Sequence, residues 1–207
     1  MQLYTIGHST IPQTHFLELL QQYQVQYVLD VRSTPYSKYA IQYNREEVEA
    51  FLKKNNIKYF HMGKFFGARQ ENPKYYHPEG YLDFELFRES DVFKAGVENV
   101  IKGLKNNNIA LMCTEKDPID CHRAIMVARG FELEGIDVKH ILHDFSFISQ
   151  DELNERLLDK YFPDRNQLTI FSLGEVKTKE EYLIEAYRKR NSEIGYRLKD
   201  NTEGKME

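Results

Sequence analysis

The sequence predicts an α/β protein with a mostly parallel sheet flanked by helices, in Rossmann-like or rhodanese-like layering, and with a C-terminal helical extension. Three observations carry this prediction. Short segments rich in strand formers alternate with helical patterns as far as residue 149. The strand segments are nearly continuous in apolar residues, which is typical of strands buried on both faces. The helical patterns place their apolar residues on one side, as expected for helices that cover a sheet.

Each predicted element rests on a local pattern of residues. Thr10, Ile11 and Pro12 supply an N-cap and a helix-initiating proline after a strand that stops at Gly7. Asn106 follows the last turn of an amphipathic helix and ends it. The predicted strands lie at 3–6, 25–31, 57–60, 109–112 and 138–142, and the predicted helices at 16–23, 46–54, 93–104 and 121–133.

Two further regions complete the predicted organisation. Residues 61–78 mix glycine and proline with aromatic and basic residues, and they predict a long surface loop or lid. Beyond residue 149 the chain becomes more charged and predicts a helix near 153–161, a strand at 168–171 and a last helix near 179–190. We therefore predict an α/β core domain over 1–149, an extension packed on that core over 150–197 and a frayed tail over 198–207.

Composition excludes several classes of protein. With 41% hydrophobic residues among 207, and only 11 Gly and 6 Pro, the chain can build a core and is not a disordered protein. It has no run of about 18 apolar residues and no signal-peptide pattern, so we expect a cytoplasmic protein that does not bind a membrane. The net charge of −4 argues against a nucleic-acid partner, although a local basic pocket is compatible with it. Composition does not predict the oligomeric state.

The segment from Cys113 to Arg123 contains the strongest candidates for catalysis. Cys113 ends the fourth predicted strand, and Cys121 opens the helix that follows. A helix N-terminus and nearby basic side chains favour a thiolate, which is a nucleophile. His122 would transfer protons, with Glu115 orienting one of these groups. Arg123 and the free N–H groups of the helix would hold an anion beside the thiolate.

Other candidates follow from the rule that ligands bind beyond the carboxyl ends of parallel strands. His8 follows the first strand and would transfer protons in place of His122. Asp30 and Arg32 follow the second strand, either as an acid and an anion clamp or as a structural pair, and we favour the structural role for Asp30. The predicted anion-binding residues are Arg123, Ser9, Asp30, Arg32, Ser37, Lys38, Gly67 and Arg69.

A zinc site is the competing interpretation of the same cluster. Cys113, Cys121 and His122, joined by His8, form a ligand set that zinc accepts. The spacing matches no common zinc finger, however, and adjacent residues such as Cys121 and His122 point in different directions on a helix. We therefore predict no resident metal, and the sequence requires no cofactor.

Three segments resemble the bacterial family called domain of unknown function 488. They are Thr5 to Ser9 (TIGHS), Asp30 to Arg32 (DVR), and Cys113-x-Glu115 with Cys121-His122-Arg123, and the resemblance runs over residues 3–145. Members usually carry Gly-Gly-Arg in the middle loop, where this chain has Gly67-Ala68-Arg69. The resemblance implies a fold and a site rather than a reaction.

A looser similarity is to rhodanese-like sulfurtransferases and their phosphatase relatives. It rests on residues 28–32 and 111–113, and the loop between Cys113 and Arg123 is longer than in those enzymes. Sulfur or phosphoryl transfer is therefore an analogy.

We expect an enzyme with a Cys/His/Arg anion-binding pocket at the C-terminal edge of the sheet. Its substrate would be a small anionic or phosphate-containing molecule, and its chemistry thiolate-based group transfer or hydrolysis. Two alternatives stay open: a non-catalytic module that binds a nucleotide or nucleic-acid phosphates, and a zinc-binding protein that uses the Cys/His cluster.

Overall fold

The computed structural model of the protein describes residues 1–165 and 177–198. Its centre is a six-stranded sheet with the strand order β3-β2-β4-β1-β5-β6. The first five strands are parallel, and β6 pairs with β5 in the antiparallel sense. The strands are β1 (Leu3–Gly7), β2 (Tyr27–Asp30), β3 (Lys58–His61), β4 (Ile109–Cys113), β5 (Val138–Ile141) and β6 (Phe147–Ser149). The predicted α/β class is confirmed.

Helices cover both faces of this sheet and bury two apolar clusters against it. The smaller cluster lies under the first two helices and includes Phe16 and Leu52. The larger one includes Phe93, Phe131 and Leu157 from the helices of the other face. The helices are α1 (Gln13–Gln22), α2 (Arg45–Lys54), α3 (Gly63–Phe66), α4 (Phe84–Arg88), α5 (Asp91–Leu104), a π-helix (Arg123–Ala128), α6 (Arg129–Leu133), α7 (Gln150–Tyr161) and α8 (Lys179–Ile194).

Several local predictions need correction. The region 61–78 is less irregular than expected, because His61 ends β3 and the segment contains α3 and the short 3-10 helix Pro73–Tyr75. The helix expected over 121–133 begins two residues later and is a π-helix in its first part. The strand β6 and the five-residue α4 were not predicted, since both are too short for a periodic signal. The predicted strand at 168–171 lies outside the described residues, as does the tail beyond 198.

The C-terminal helices contact the rest of the fold. The Asn191 side chain of α8 donates to the Leu82 carbonyl and accepts from the Phe84 amide, each at 2.8 Å. Ser149 and Glu152 form a capping box that starts α7 directly after β6. The division into a core over 1–149 and an extension stays a prediction. No helix within residues 1–165 and 177–198 combines the length and apolar character needed to cross a bilayer.

The strand order decides where the functional candidates meet. Strand β4 lies between β2 and β1, with Gly7 paired to Cys113 and Asp30 paired to Met112. Because the three strands are parallel, the residues that follow each of them emerge at one edge of the sheet.

Candidate functional site

The loop after β4 packs directly on the end of β1. The backbone N–H of His8 donates to the Cys113 carbonyl at 2.9 Å, and that of Ser9 donates to the Thr114 carbonyl at 2.7 Å. A β-carbon at Gly7 would lie 1.8 Å from the Glu115 carbonyl oxygen. Only glycine permits this approach, so Gly7 sets the position of the loop that carries both cysteines.

Arg123 holds this loop from below. Its guanidinium donates to the carbonyls of Glu115 at 2.6 Å and Lys116 at 3.1 Å. The side chain is fully buried, and its Nε has no partner within the part of the chain that the structure describes. This corrects the expectation that Arg123 grips a substrate anion, because its fork is occupied by the loop itself.

The loop brings two thiols, a carboxyl group and an imidazole together. The Glu115 Oε2 lies 3.2 Å from the Cys113 sulfur and 2.8 Å from the Cys121 sulfur. The Nδ1 of His122 lies 3.8 Å from the Cys113 sulfur. Cys121 has extended backbone angles, φ −132° and ψ 137°, so it precedes the helix. The expected divergence of Cys121 and His122 on a helix is therefore wrong, and both side chains point into one cluster.

A backbone carbonyl orients the imidazole of this cluster. His122 Nε2 lies 3.1 Å from the Val31 carbonyl oxygen, which only accepts hydrogen bonds. This contact assigns the hydrogen to Nε2 and leaves Nδ1 as the atom that faces Cys113.

Burial and mutual contact shift the pKa values of the two thiols in opposite directions. Burial raises the pKa of Cys113, and the neighbouring Cys121 and Glu115 raise it further. Burial also acts to raise the pKa of Cys121, but a hydrogen bond from Cys113 and the charge of Arg123 outweigh it and hold this pKa well below its usual range. Burial and the contact with Cys121 raise the pKa of Glu115. The thiolate is therefore favoured at Cys121 over Cys113.

The backbone at the start of the π-helix is not free to bind a substrate. The Arg123 N–H lies 3.4 Å from the Cys121 sulfur, and the N–H groups of Ala124 and Ile125 donate to the Cys121 carbonyl. The Arg123 N–H favours a thiolate at Cys121, and the other two N–H groups are used by the Cys121 carbonyl. None of these three donors supplies the anion site expected at this helix end.

Arg32 and Asp30 form a buried pair beside the cluster. Arg32 donates to both carboxylate oxygens of Asp30, at 2.8 and 2.5 Å, and Tyr59 donates to the same carboxylate at 2.8 Å. Arg32 also donates to the Tyr43 carbonyl at 2.9 Å. Asp30 is fully buried and therefore holds Arg32 in place without facing solvent.

His8 contacts the Arg32–Asp30 pair and does not contact the thiols. Its Nε2 accepts from Arg32 Nη1 at 3.1 Å, its Nδ1 donates to the Ser9 carbonyl at 2.7 Å, and its ring stacks on Tyr43. Burial and then the Arg32 charge lower the pKa of His8 to about 4. Both ring nitrogens of His8 already have hydrogen-bond partners, and His8 does not belong to the close group of metal-ligating atoms. The zinc interpretation, which includes His8 as a ligand, is wrong on this point.

A cleft of about 360 Å³ opens above the cluster. Cys113, Glu115 and His122 reach it, whereas Cys121 lies behind them. Arg69 stacks on the Tyr196 ring at 4.7 Å, and Asp120 pairs with Arg190 of α8. The cleft is lined by Arg32, Ser33, Thr34, Tyr36, Ala68, Arg69, Cys113, Thr114, Glu115, Asp120, His122, Ile194 and Tyr196.

Some predicted binding residues lie outside this cleft. The Ser37 hydroxyl accepts a hydrogen bond from the Tyr39 amide, and the Lys38 ammonium lies over the Tyr39 ring. Neither side chain closes over the cleft. Ser9 uses its backbone to hold the loop. Gly67 acts through its small size, since a β-carbon there would lie 2.6 Å from the Ser33 hydroxyl.

Sequence reasoning missed several lining residues, of which Ala68, Thr114 and Asp120 are chain neighbours of predicted site residues. Ser33, Thr34 and Tyr36 directly follow Arg32, and the strand-end rule applied further along the chain would have found them. Ile194 and Tyr196 lie at and just beyond the end of α8, and no local sequence pattern indicates that they line the cleft.

The chain matches a model of a protein family. A family model described as "Domain of unknown function DUF488" matches residues 13–129, which confirms the predicted family. The match covers a shorter span than expected, because it begins after the Gly7-His8 motif and ends before β5. No curated protein matches the chain.

Proposed function

We propose that this protein, which belongs to the family described as domain of unknown function DUF488, is a thiol-dependent enzyme that acts on a small anionic substrate. One observation carries the proposal: Cys113 is a lining residue of an arginine-bearing cleft, and an imidazole nitrogen lies 3.8 Å from its sulfur. A cleft of about 360 Å³ falls within the usual size of small-molecule sites.

The geometry around Cys113 fits a nucleophile with its base. Thiol enzymes place the base within reach of the sulfur and orient that base with a third group. His122 Nδ1 is the base in reach, and the Val31 carbonyl is the third group. In the proposed step, the Cys113 sulfur bonds to the electrophilic atom of the substrate while its proton passes to His122. The leaving group departs with that proton, and water or a second acceptor then releases the transferred group from sulfur.

In the part of the chain that the structure describes, one arginine of the cleft is free to bind a small anion. Arg32 is neutralised by Asp30, and Asp120 by Arg190. Arg69 is different, because no carboxylate pairs with it within the described residues, where its guanidinium rests on Tyr196. One unneutralised arginine suits a single phosphate or carboxylate group better than the repeated phosphates of a nucleic acid.

Selectivity would come partly from outside the family match. Ile194 and Tyr196 form one wall of the cleft, and both lie beyond residue 129. The backbone of this segment is anchored by a hydrogen bond from the Leu82 amide to the Tyr196 carbonyl at 2.9 Å. We therefore expect Tyr196 to influence which substrates fit, through its ring and its hold on Arg69.

Two alkylating reagents of similar size test this proposal. Iodoacetate is anionic and iodoacetamide is neutral, so the ratio of their rates at Cys113 measures attraction of an anion into the cleft. Peptide mass spectrometry of briefly treated, reduced protein reads each cysteine separately. We expect Cys113 to react before Cys121, and the iodoacetate-to-iodoacetamide ratio to fall several-fold in Arg69→Ala.

Lys102→Ala is the matched control, because it removes an exposed cation of α5 that does not line the cleft. It should leave the ratio of the two rates unchanged. The proposal is wrong if Cys113 in the folded protein reacts with neither reagent, or if Arg69→Ala and Lys102→Ala behave alike.

A further inference from the structure

The thiol cluster has the donor set of a metal site. One ligand atom from each of Cys113, Cys121 and His122 lies within 4.8 Å of the other two. Zinc binds sulfur at about 2.3 Å and imidazole nitrogen at about 2.0–2.1 Å, so ligand atoms of a tetrahedral site lie about 3.5–3.8 Å apart. The Cys113 sulfur and His122 Nδ1 are 3.8 Å apart. The three ligand atoms need to move only slightly closer together to coordinate the ion.

The groups that surround the cluster also resemble those around a metal site. A ligating histidine usually donates its other ring N–H to a carbonyl or carboxylate, which fixes the ring and the tautomer. His122 does this through Nε2 and the Val31 carbonyl. The Arg123 backbone N–H points at the Cys121 sulfur at 3.4 Å and would support a metal-bound thiolate.

Within residues 1–165 and 177–198, no lysine or arginine side chain donates to the sulfurs of the cluster. The guanidinium of Arg123 is committed to the loop carbonyls of Glu115 and Lys116. The Glu115 carboxyl group lies against both sulfurs, so three acidic groups converge at a buried point. A cation bound among these three acidic groups would interact favourably with all of them.

The cleft provides access for the ion. Cys113, Glu115 and His122 line it, while Cys121 closes the back of the cluster. With three protein ligands, the fourth coordination position of a tetrahedral ion would face the cleft, next to Glu115.

We propose that Cys113, Cys121 and His122 bind one thiophilic divalent cation of the zinc class. Cys113 and Cys121 would both bind as thiolates, so a proton that either sulfur still carries is released as the two metal–sulfur bonds form, without any change in oxidation state. It uses the same residues as the proposed function but does not depend on that chemistry. Because the ion occupies the Cys113 sulfur, it would block the proposed nucleophile and so regulate the thiol enzyme.

Cobalt(II) is the probe for this site. Titration of the reduced, metal-free full-length protein should give sulfur-to-cobalt charge-transfer absorption and the strong visible bands of tetrahedral cobalt, complete at one equivalent. Zinc should displace the cobalt and release it to a chromophoric chelator. Cys121→Ser should weaken cobalt binding by more than about tenfold and reduce the charge-transfer band. His15→Gln, which removes a histidine outside the cluster, should leave both unchanged.

Two further readouts keep the proposal testable if Cys121→Ser does not fold. Zinc should protect both cysteines of the wild-type protein from iodoacetamide, and a chelator should restore their reactivity. Absence of the charge-transfer band, or binding that Cys121→Ser does not change, would overturn the metal site. If cobalt fails to bind while Cys113 still prefers iodoacetate, the metal site fails and the proposed function stands. If cobalt binds while metal-free Cys113 is inert, the proposed function fails instead.

Discussion

The buried histidine of β5 makes the stability of this protein depend on pH. His140 has no exposed surface, and Thr5 and Gln150 each hydrogen-bond one of its ring nitrogens at 2.8 Å. Burial, and then the charge of Arg123, lowers the pKa of His140 to about 3. The folded protein therefore keeps this ring neutral at pH values where the unfolded chain, with a histidine pKa of about 6.5, protonates it.

The sign and size of the effect follow from that difference. Below about pH 6.5 the unfolded state binds a proton that the folded state refuses, so stability is present above this pH and is lost as the pH falls toward 3. At about 1.4 kcal/mol per pH unit, His140 alone should cost about 2 kcal/mol between pH 7 and pH 5. Below about pH 3 the ring is protonated in both states, so the loss from His140 stops growing there and is not regained.

Urea unfolding at pH 7, 6 and 5, followed by circular dichroism, measures this loss. At pH 7 the free energy of unfolding should be lower in His140→Gln than in the wild-type protein. Between pH 7 and pH 5 it should decrease by about 2 kcal/mol less than the wild-type value does. Other titrating groups cancel in this comparison. Ring NMR signals of His140 in the wild-type protein provide a check that needs no variant. Equal slopes in the two proteins, or a ring that titrates near pH 6.5, would refute the reasoning.

Three other substitutions test how the fold positions the site. Gly7→Ala would drive a β-carbon into the Glu115 carbonyl, so we expect a loss of about 1–3 kcal/mol in thermal unfolding together with altered Cys113 alkylation. Asn191→Ala removes two hydrogen bonds that satisfy buried backbone groups, and urea unfolding should show a loss of about 2–4 kcal/mol. Ser149→Ala removes the cap of α7 and should cost about 1 kcal/mol in the same assay, and an unchanged midpoint would contradict the capping role.

The fold was predictable where an element is long enough to show a period. The five parallel strands and helices such as α1, α2 and α5 were found because apolar residues recur at spacings that only one backbone conformation satisfies. The strand β6 has three residues and α3 has four, so neither completes a pattern. A glycine at 63 indicated a loop, although it begins a helix that packs tightly on Arg32.

The candidate site was likewise predictable only where its features are local in the sequence. Cys113, Glu115, Cys121 and His122 belong to one loop, so their proximity could be read from their spacing. The direction of Arg123 could not, since it depends on carbonyls that Gly7 allows to approach. The separation of Cys121 from the helix also escaped prediction, because backbone angles at a helix start are set by contacts with the preceding loop.

By itself, the sequence determined the layered α/β class, the edge of the sheet where chemistry gathers and the residue types found there, because periodicity and strand-end position are local properties of the chain. Only the tertiary structure decided which side chains face the cleft. It placed Arg32 and Arg69 in the cleft, turned Arg123 and His8 beneath it, and brought Tyr196 from the far end of the described chain. Side-chain direction at a site depends on contacts between distant segments, and these exist only once the sheet has formed.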